Sequence, residues 1–353
     1  MNIHIRKTTS SNIGAVDFSN LTFGENFSDH QFQINYRNGQ WESPEIIPYD
    51  LTPMYPAMTT LHYGQAVFEG MKAFTYSSGK INIFRLDSHF ERFNRSCKRV
   101  CIPEIPKNVF EQGLIHLVNL ERAWVPQEKY KSLYLRPFVY ATDETLGLRA
   151  STSYRFHILC SPVGNFYSEG IKPIRLTTMP EYVRAVSGGV GDVKVPGNYA
   201  ASLQPTTKAQ QMGYTQVLWL DAIEKKYVEE VGSMNIFFLI DDTLITPPIN
   251  GSILPGITRM SVLELARKHK MNVEERPVAI DELIKAHENG KLKEIFGSGT
   301  AAVISPVGHI HHQGKEITLP QKEMGPVARW FYDRITGIQH GDHPDDENWC
   351  TIL

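Results

Sequence analysis

Long apolar runs are missing from this 353-residue sequence. None approaches the ~18–20 residues that span a bilayer, so no membrane helix is expected. The opening stretch, MNIHIRKTTSSNIGAVDF, carries neither the apolar core of a signal peptide nor the pattern of a transit peptide, and secretion is not expected. An excess of one charge is also missing: 36 basic residues stand against 38 acidic ones. A near-neutral chain has no electrostatic reason to seek nucleic acid or an anionic membrane. Cysteine is sparse. Cys97 and Cys101 form a C-x3-C pair with no second pair to complete a metal site, and Cys160 and Cys350 lie far away. Four cysteines in a chain this long argue against a disulfide framework and for reduced thiols in a cytosol-like compartment. His309-Ile-His311-His312 reads as solvated residues of a turn rather than as a metal site. Repeats and low-complexity tracts are absent.

What is present describes a folded chain. Hydrophobic residues make up 41% and charged residues 21%, and the length suits two domains. The first half carries strand signals at residues 32–36 and 41 around an Asn38-Gly39 turn, at 71–76 and at 80–84. Asp87 is expected to cap a helix with Phe90, Phe93, Cys97 and Val100 on one face. A helix at about 108–123 and strands at 132–140 and 154–160 complete a small α+β domain, residues 1–165. The proline- and glycine-bearing stretch 166–180 reads as a connector. Residues 181–353 read as a larger, mixed α/β domain. Its expected strands are 216–220, 236–240, 243–246 and 294–296, and its expected helices are about 199–212, 258–270 and 280–289.

Four motifs carry chemistry. In Gly188-Gly-Val-Gly-Asp-Val-Lys194-Val-Pro-Gly197, valines flank the lysine, which excludes a phosphate-binding P-loop. Partial burial of such a lysine lowers its pKa and frees the amine for carbonyl chemistry; a solvated lysine is the plainer alternative. Glu229-Glu230-Val-Gly-Ser-Met-Asn235 puts carboxylates just before an apolar strand, either in a solvated turn or aimed into a cleft. Leu254-Pro-Gly256-Ile257-Thr258 starts a helix, whose N-terminal N–H groups suit a phosphate as readily as they suit an ordinary helix start. Phe296-Gly-Ser-Gly299-Thr300-Ala301-Ala302 matches the dinucleotide fingerprint G-x-G-x-x-A, but about fifty residues remain after it, too few for a nucleotide-binding half. A backbone loop that holds an anion fits it better.

In this order, the four motifs resemble the fold-type IV enzymes that use pyridoxal phosphate (PLP), and in particular the branched-chain aminotransferases. Further matching segments are Phe27-Ser-Asp-His, His62-Tyr63-Gly-Gln-Ala-Val-Phe68-Glu69-Gly70-Met-Lys-Ala, Phe84-Arg85, Arg92, Tyr134-Leu-Arg136-Pro and Pro162-Val-Gly164. The resemblance runs from about residue 23 to 340. It implies that Lys194 forms the Schiff base and serves as the proton carrier. It further implies that Tyr199 bonds the PLP phenolic oxygen and that Glu230 pairs with the ring nitrogen. Arg92, the N–H groups of Ile257 and Thr258, and Thr300 would hold the phosphate. Ala301 and Tyr134 would bind the substrate α-carboxylate, and Arg136 the side-chain carboxylate of glutamate. Phe27, Tyr63, Phe68 and either Phe166 or Tyr167 would line an apolar pocket.

The implied reaction moves the amino group of L-leucine, L-isoleucine or L-valine to 2-oxoglutarate, in a dimer. Two departures from the family pattern stand out. Pro196-Gly197 replaces a pair of glycines and suggests a stiffer loop. Ala302 and Ser305 stand where some animal members carry a redox Cys-x-x-Cys, so that regulation is not expected. Rival readings within the fold are a D-amino acid aminotransferase and an aminodeoxychorismate lyase. The D-specific enzymes tend to have Leu-Asn-Gly-Ile where this chain has Leu254-Pro-Gly-Ile257. Outside the reaction class, the rivals are a catalytically silent PLP-binding protein and a nicotinamide oxidoreductase resting on the Gly297 match alone.

Overall fold

The computed structural model describes residues 2–164 and 171–353. The chain divides into two compact units. The first takes in residues 1–165 together with two later segments, Val193–Pro196 and Gly337–Leu353. The second holds Phe166–Asp192 and Gly197–Thr336. The content is mixed α/β throughout.

The first unit is built on a ten-stranded, mainly antiparallel sheet. Its centre is the long pair Ser132–Ala141 and Tyr154–Val163, in register from Ser132 opposite Val163 to Ala141 opposite Tyr154. His30–Arg37 flanks this pair on one side and Met71–Thr75 on the other. The Asn38-Gly39 turn is present with both residues at positive φ, the geometry a two-residue hairpin needs. Two helices, Leu86–Arg99 and Lys107–Leu120, meet this sheet through Phe93, Phe110 and Phe156, whose ring centroids lie 5.5–6.0 Å apart. Asp87 does not cap the first helix. Arg85 is its N-cap, and Asp87 lies within the first turn, paired with Lys107 at 2.7 Å. The sheet ends on a strand the sequence did not signal, Cys350–Ile352, which pairs with Ile81–Phe84. That pairing returns residues 337–353 to the first unit.

The second unit contains a nine-stranded mixed sheet that closes on itself. Val228–Val231, Gln216–Leu220, Ile174–Thr178, Val303–His312, Leu292–Gly299 and Met234–Ile240 are paired in that order, and the last pairs back to the first. The result is a six-stranded closed ring with side strands, filled on one face by Leu176, Leu218, Ile236, Phe238, Ile295, Val307 and Ile310. Closure leaves the ring strands without open edges.

Several expectations need correction. The stretch read as a connector contains the ring strand Ile174–Thr178. The histidines at 309, 311 and 312 lie on the strand Val303–His312, not in a turn. The helix read over 199–212 is two helices, Pro196–Ala200 and Leu203–Gln211. Pro205 explains the break, because its ring would clash with the carbonyl of residue 201 in a continuous helix. Pro196, read as a stiffening loop residue, occupies the first position of a helix. Proline is well tolerated there, since that N–H has no partner inside the helix.

Candidate active site

In the first unit, the segment 193–196 is held by its backbone. The Lys194 N–H donates to Ser96 Oγ at 3.0 Å, and its carbonyl accepts from the Phe68 N–H at 3.1 Å. Val193 and Val195 are buried on either side. Lys194 Nζ lies 4.8 Å from the centroid of the Phe68 ring. Burial, followed by the positive charge of Arg92, brings the Lys194 ammonium down to about 8, while Glu69 pulls the other way. A lysine poised there holds a useful fraction of neutral, nucleophilic amine near neutral pH.

Arg92 is buried, and its fork is taken up by a residue that sequence reasoning leaves without a role. Glu69 is fully buried and accepts from Arg92 Nε at 2.6 Å and Nη2 at 2.8 Å. It also accepts from His89 Nδ1 at 2.8 Å and from the Gly70 N–H at 2.9 Å. His89, Arg92 and Ser96 project from one face of the Leu86–Arg99 helix, spaced i, i+3 and i+7. Burial raises the cost of the Glu69 charge, but Arg92 and then His89 outweigh it, and the carboxyl sits far below the ordinary carboxylate range.

Tyr134 and Arg136 lie on one strand, two residues apart and hence on one face. Arg136 Nη2 donates to Tyr134 Oη at 3.0 Å, and its guanidinium lies 4.9 Å from the centre of the Phe68 ring. Gly70 is what lets Tyr134 sit where it does: a Cβ at that position would fall 1.8 Å from Tyr134 Oη. Lys194, Phe68, Tyr134, Arg136 and Arg92 are thus brought together. Phe27 and Tyr63 make their contacts elsewhere. Phe27 stacks on Tyr49 at 5.0 Å, and Tyr63, 44% exposed, donates to the Leu146 carbonyl at 2.6 Å. Phe166 and Tyr167 lie outside the described residues.

In the second unit, Glu229 and Glu230 lie within the ring strand Val228–Val231 rather than in a turn before a strand. Glu230 is buried and stands opposite Asn235 in register. Asn235 Nδ2 donates to Glu230 Oε1 at 3.2 Å, as does the Leu254 N–H at 3.1 Å. Arg184 forms an ion pair with Glu230 Oε2 at 2.6 Å. Sequence reasoning missed Arg184 altogether. Its guanidinium also donates to the carbonyls of Gly191 (3.2 Å) and Ser252. The carboxylate is therefore fixed from three directions.

The same unit supplies the phosphate candidates. Gly256 is the N-cap of the helix Ile257–Lys268, and it offers no side chain to cap the first N–H groups. A Cβ at Gly256 would come 1.9 Å from Asn235 Oδ1, so the backbone can approach Asn235 only as glycine. Thr300 and Ala301 form the turn between the strands Leu292–Gly299 and Val303–His312. Val303 closes that turn at φ +62°, a strained value for a β-branched residue. Tyr199 is half-buried in the Pro196–Ala200 helix, where its carbonyl accepts from Ser202.

Each unit by itself offers groups that suit a phosphorylated carbonyl cofactor with a basic ring nitrogen: the first a lysine poised as an amine, the second a fixed buried carboxylate and an uncapped helix start. The family described as amino-transferase class IV matches residues 66–310. Branched-chain-amino-acid aminotransferase 2 of Bacillus subtilis is 48% identical over 344 residues, covering 97% of this chain and 95% of that protein. A probable branched-chain-amino-acid aminotransferase of Staphylococcus aureus is 48% identical, covering 96% of this chain and 94% of its own length. The chain belongs to the branched-chain aminotransferase family, within class IV.

Solved structures agree with that placement. The branched-chain amino acid aminotransferase of Escherichia coli superimposes with a TM-score of 0.74 at 26% identity, over 90% of this chain and 98% of that one. The T.th. branched-chain amino acid aminotransferase, in complex with N-(5'-phosphopyridoxyl)-L-glutamate, gives a TM-score of 0.72 at 26% identity, over 90% of this chain and 97% of that one. Class IV aminotransferases use PLP, and the residues present in this aminotransferase fit it. Among the described residues, no helix is long and apolar enough to cross a membrane.

Proposed function

We propose that this aminotransferase moves the amino group of L-leucine, L-isoleucine or L-valine to 2-oxoglutarate, reversibly and with ping-pong kinetics. The observation that carries the reading is the cluster around Lys194. An amine brought down to about 8 is packed beside an aromatic ring, with a guanidinium over the same ring. The names of the Bacillus subtilis and Staphylococcus aureus relatives support the substrate class.

In this reading Lys194 would anchor PLP, and its Nζ would take and return the substrate α-proton. Bound PLP supplies the electron sink for the α-carbon. Glu230 would keep the ring nitrogen protonated, and Tyr199 would bond the phenolic oxygen. Arg92, the N–H groups of Ile257 and Thr258, and Thr300 would hold the phosphate. Tyr134 and Ala301 bind the α-carboxylate. Phe68, beside Lys194 Nζ, would bound the aliphatic side chain; Phe27 and Tyr63 make other contacts within this chain. Arg136 reads the longer side-chain carboxylate of glutamate. One pocket has to serve both half-reactions, and an arginine packed over an aromatic ring offers each substrate its own contact.

We further propose a homodimer in the cytoplasm. The four free cysteines and the family likeness support it.

A panel of L- and D-amino acids, assayed with 2-oxoglutarate, tests the substrate assignment. L-leucine, L-isoleucine and L-valine are expected to be deaminated, and activity with D-alanine but not L-leucine sinks the reading. Arg136→Ala is expected to raise KM for glutamate at least about tenfold more than KM for leucine, the loss of one charge-assisted contact. Equal losses for both would assign the γ-carboxylate to another group.

A further inference from the structure

We propose that Glu69 is a positioning residue for transamination: its buried carboxylate fixes the guanidinium of Arg92 and supplies the negative charge that balances the arginines around Lys194 Nζ. The proposal deepens the function proposed above and rests on Lys194 being the reactive lysine.

The geometry comes first. Glu69 directly follows Phe68, whose N–H donates to the Lys194 carbonyl at 3.1 Å. Arg92 lies one turn before Ser96, which accepts the Lys194 N–H at 3.0 Å. Glu69 and Arg92 are therefore each one short step along the chain from a backbone hydrogen bond to Lys194. Glu69 engages Arg92 through two parallel bonds, which fixes the plane of the guanidinium and not merely its position. The remaining acceptor capacity is used by His89 Nδ1 and the Gly70 N–H. A fully buried carboxylate with four donors is a built feature, because an under-satisfied charge in that position would cost several kcal/mol.

The charges follow. The groups that face Lys194 are Arg92 and His89 on the helix, Glu69, and Tyr134 and Arg136 on the central strand. Burial, only partly offset by Glu69, holds His89 below its ordinary value, so it is neutral at physiological pH and donates through Nδ1. That leaves two arginines that disfavour the Lys194 ammonium. Against them, Glu69 is the largest influence that favours it, ahead of Tyr134. If Glu69 were neutral, Arg92 would be a buried cation lacking its carboxylate partner and would drive Lys194 further toward the amine. An opposite charge at close range moves a pKa by about 1–3 units.

The test reads Lys194 directly, in the full chain stripped of cofactor. The rate of acetylation of Lys194 by acetic anhydride, followed by mass spectrometry of its peptide across pH, gives the titration midpoint. Glu69→Gln is expected to lower that midpoint by at least about one pH unit, a tenfold change in the amine-to-ammonium ratio. Glu69→Asp keeps the charge and is expected to restore most of it. Arg92→Gln is expected to move the midpoint the other way, and it carries the test if Glu69→Gln fails to fold. An unchanged midpoint in Glu69→Gln, an equal fall in Glu69→Asp, or no rise in Arg92→Gln overturns the proposal. Whether Lys194 carries the cofactor is read separately by reductive labelling, so failure of one reading is distinguishable from failure of the other.

Discussion

Lys194→Ala is expected to abolish transamination, with a fall in kcat of at least about 10³-fold, the scale set by loss of a positioned base alone. Loss of the anchor adds to that. The variant is expected to retain some PLP, because the phosphate contacts proposed for Arg92, Ile257, Thr258 and Thr300 do not depend on the lysine. Borohydride reduction of the unaltered protein followed by peptide mapping should place the label on Lys194, and the variant should show none there. Lys72 is the natural control. It too is buried, and burial brings it down to about 8. Its ammonium is therefore also weakened, and a label on Lys72 in the unaltered protein would move the anchor to the strand Met71–Thr75. Near-normal turnover in Lys194→Ala would end the assignment outright.

The second large effect concerns Glu230. Removing its carboxylate leaves the buried Arg184 side chain with its ion pair broken. Breaking a buried pair by deleting one partner costs about 3–5 kcal/mol. Glu230→Ala should therefore lower the melting temperature markedly as well as eliminate activity. A double variant, Glu230→Met with Arg184→Met, separates the two effects. Replacing both charges with apolar side chains of similar size removes the orphaned cation, so stability should largely return while activity stays lost. Recovery of activity in the double variant would show that the ring nitrogen needs no carboxylate from position 230. A melting temperature unchanged in Glu230→Ala would mean that Arg184 finds a substitute acceptor nearby.

Arg184 and Glu69 show where the sequence stopped being legible. The helix Leu86–Arg99 was read through its apolar face, Phe90, Phe93 and Cys97. That periodicity gives His89 and Ser96 no role, and Arg92 gains one only through the family resemblance, since a polar stripe on a helix normally faces water. Here that stripe is buried, because Glu69 and the backbone of Lys194 satisfy it. Nothing in the local pattern distinguishes a buried polar stripe from an exposed one; the partner lies 20 or more residues away. Arg184 sits in a segment of turns with no strand or helix to orient it, and its partner is 46 positions later in the numbering. By contrast, the ring strand Gln216–Leu220 and the side strand Thr243–Thr246 were read with their observed bounds, because short apolar or β-branched runs between turn residues carry their own signal. The three-residue strand Cys350–Ile352 is too short to show alternation, and only its partner Ile81–Phe84 makes it a strand. Glu230 is legible as a motif just before an apolar strand, but its place inside the strand Val228–Val231 is not, because that four-residue strand carries two carboxylates.

Pro196 has a consequence for how the protein acquires its cofactor. A pair of glycines after the lysine would leave that stretch sampling many backbone states before PLP arrives. With proline at the first position of a helix, φ is set by the ring, and the Asn198 side chain pins the next turn to the Val190 carbonyl at 2.8 Å. The unloaded chain thus meets its cofactor with this segment already ordered. Loading is then expected to be governed by encounter, not by a search of the loop through its own conformations, with reconstitution in a single concentration-dependent phase; a slower, concentration-independent phase would speak against it.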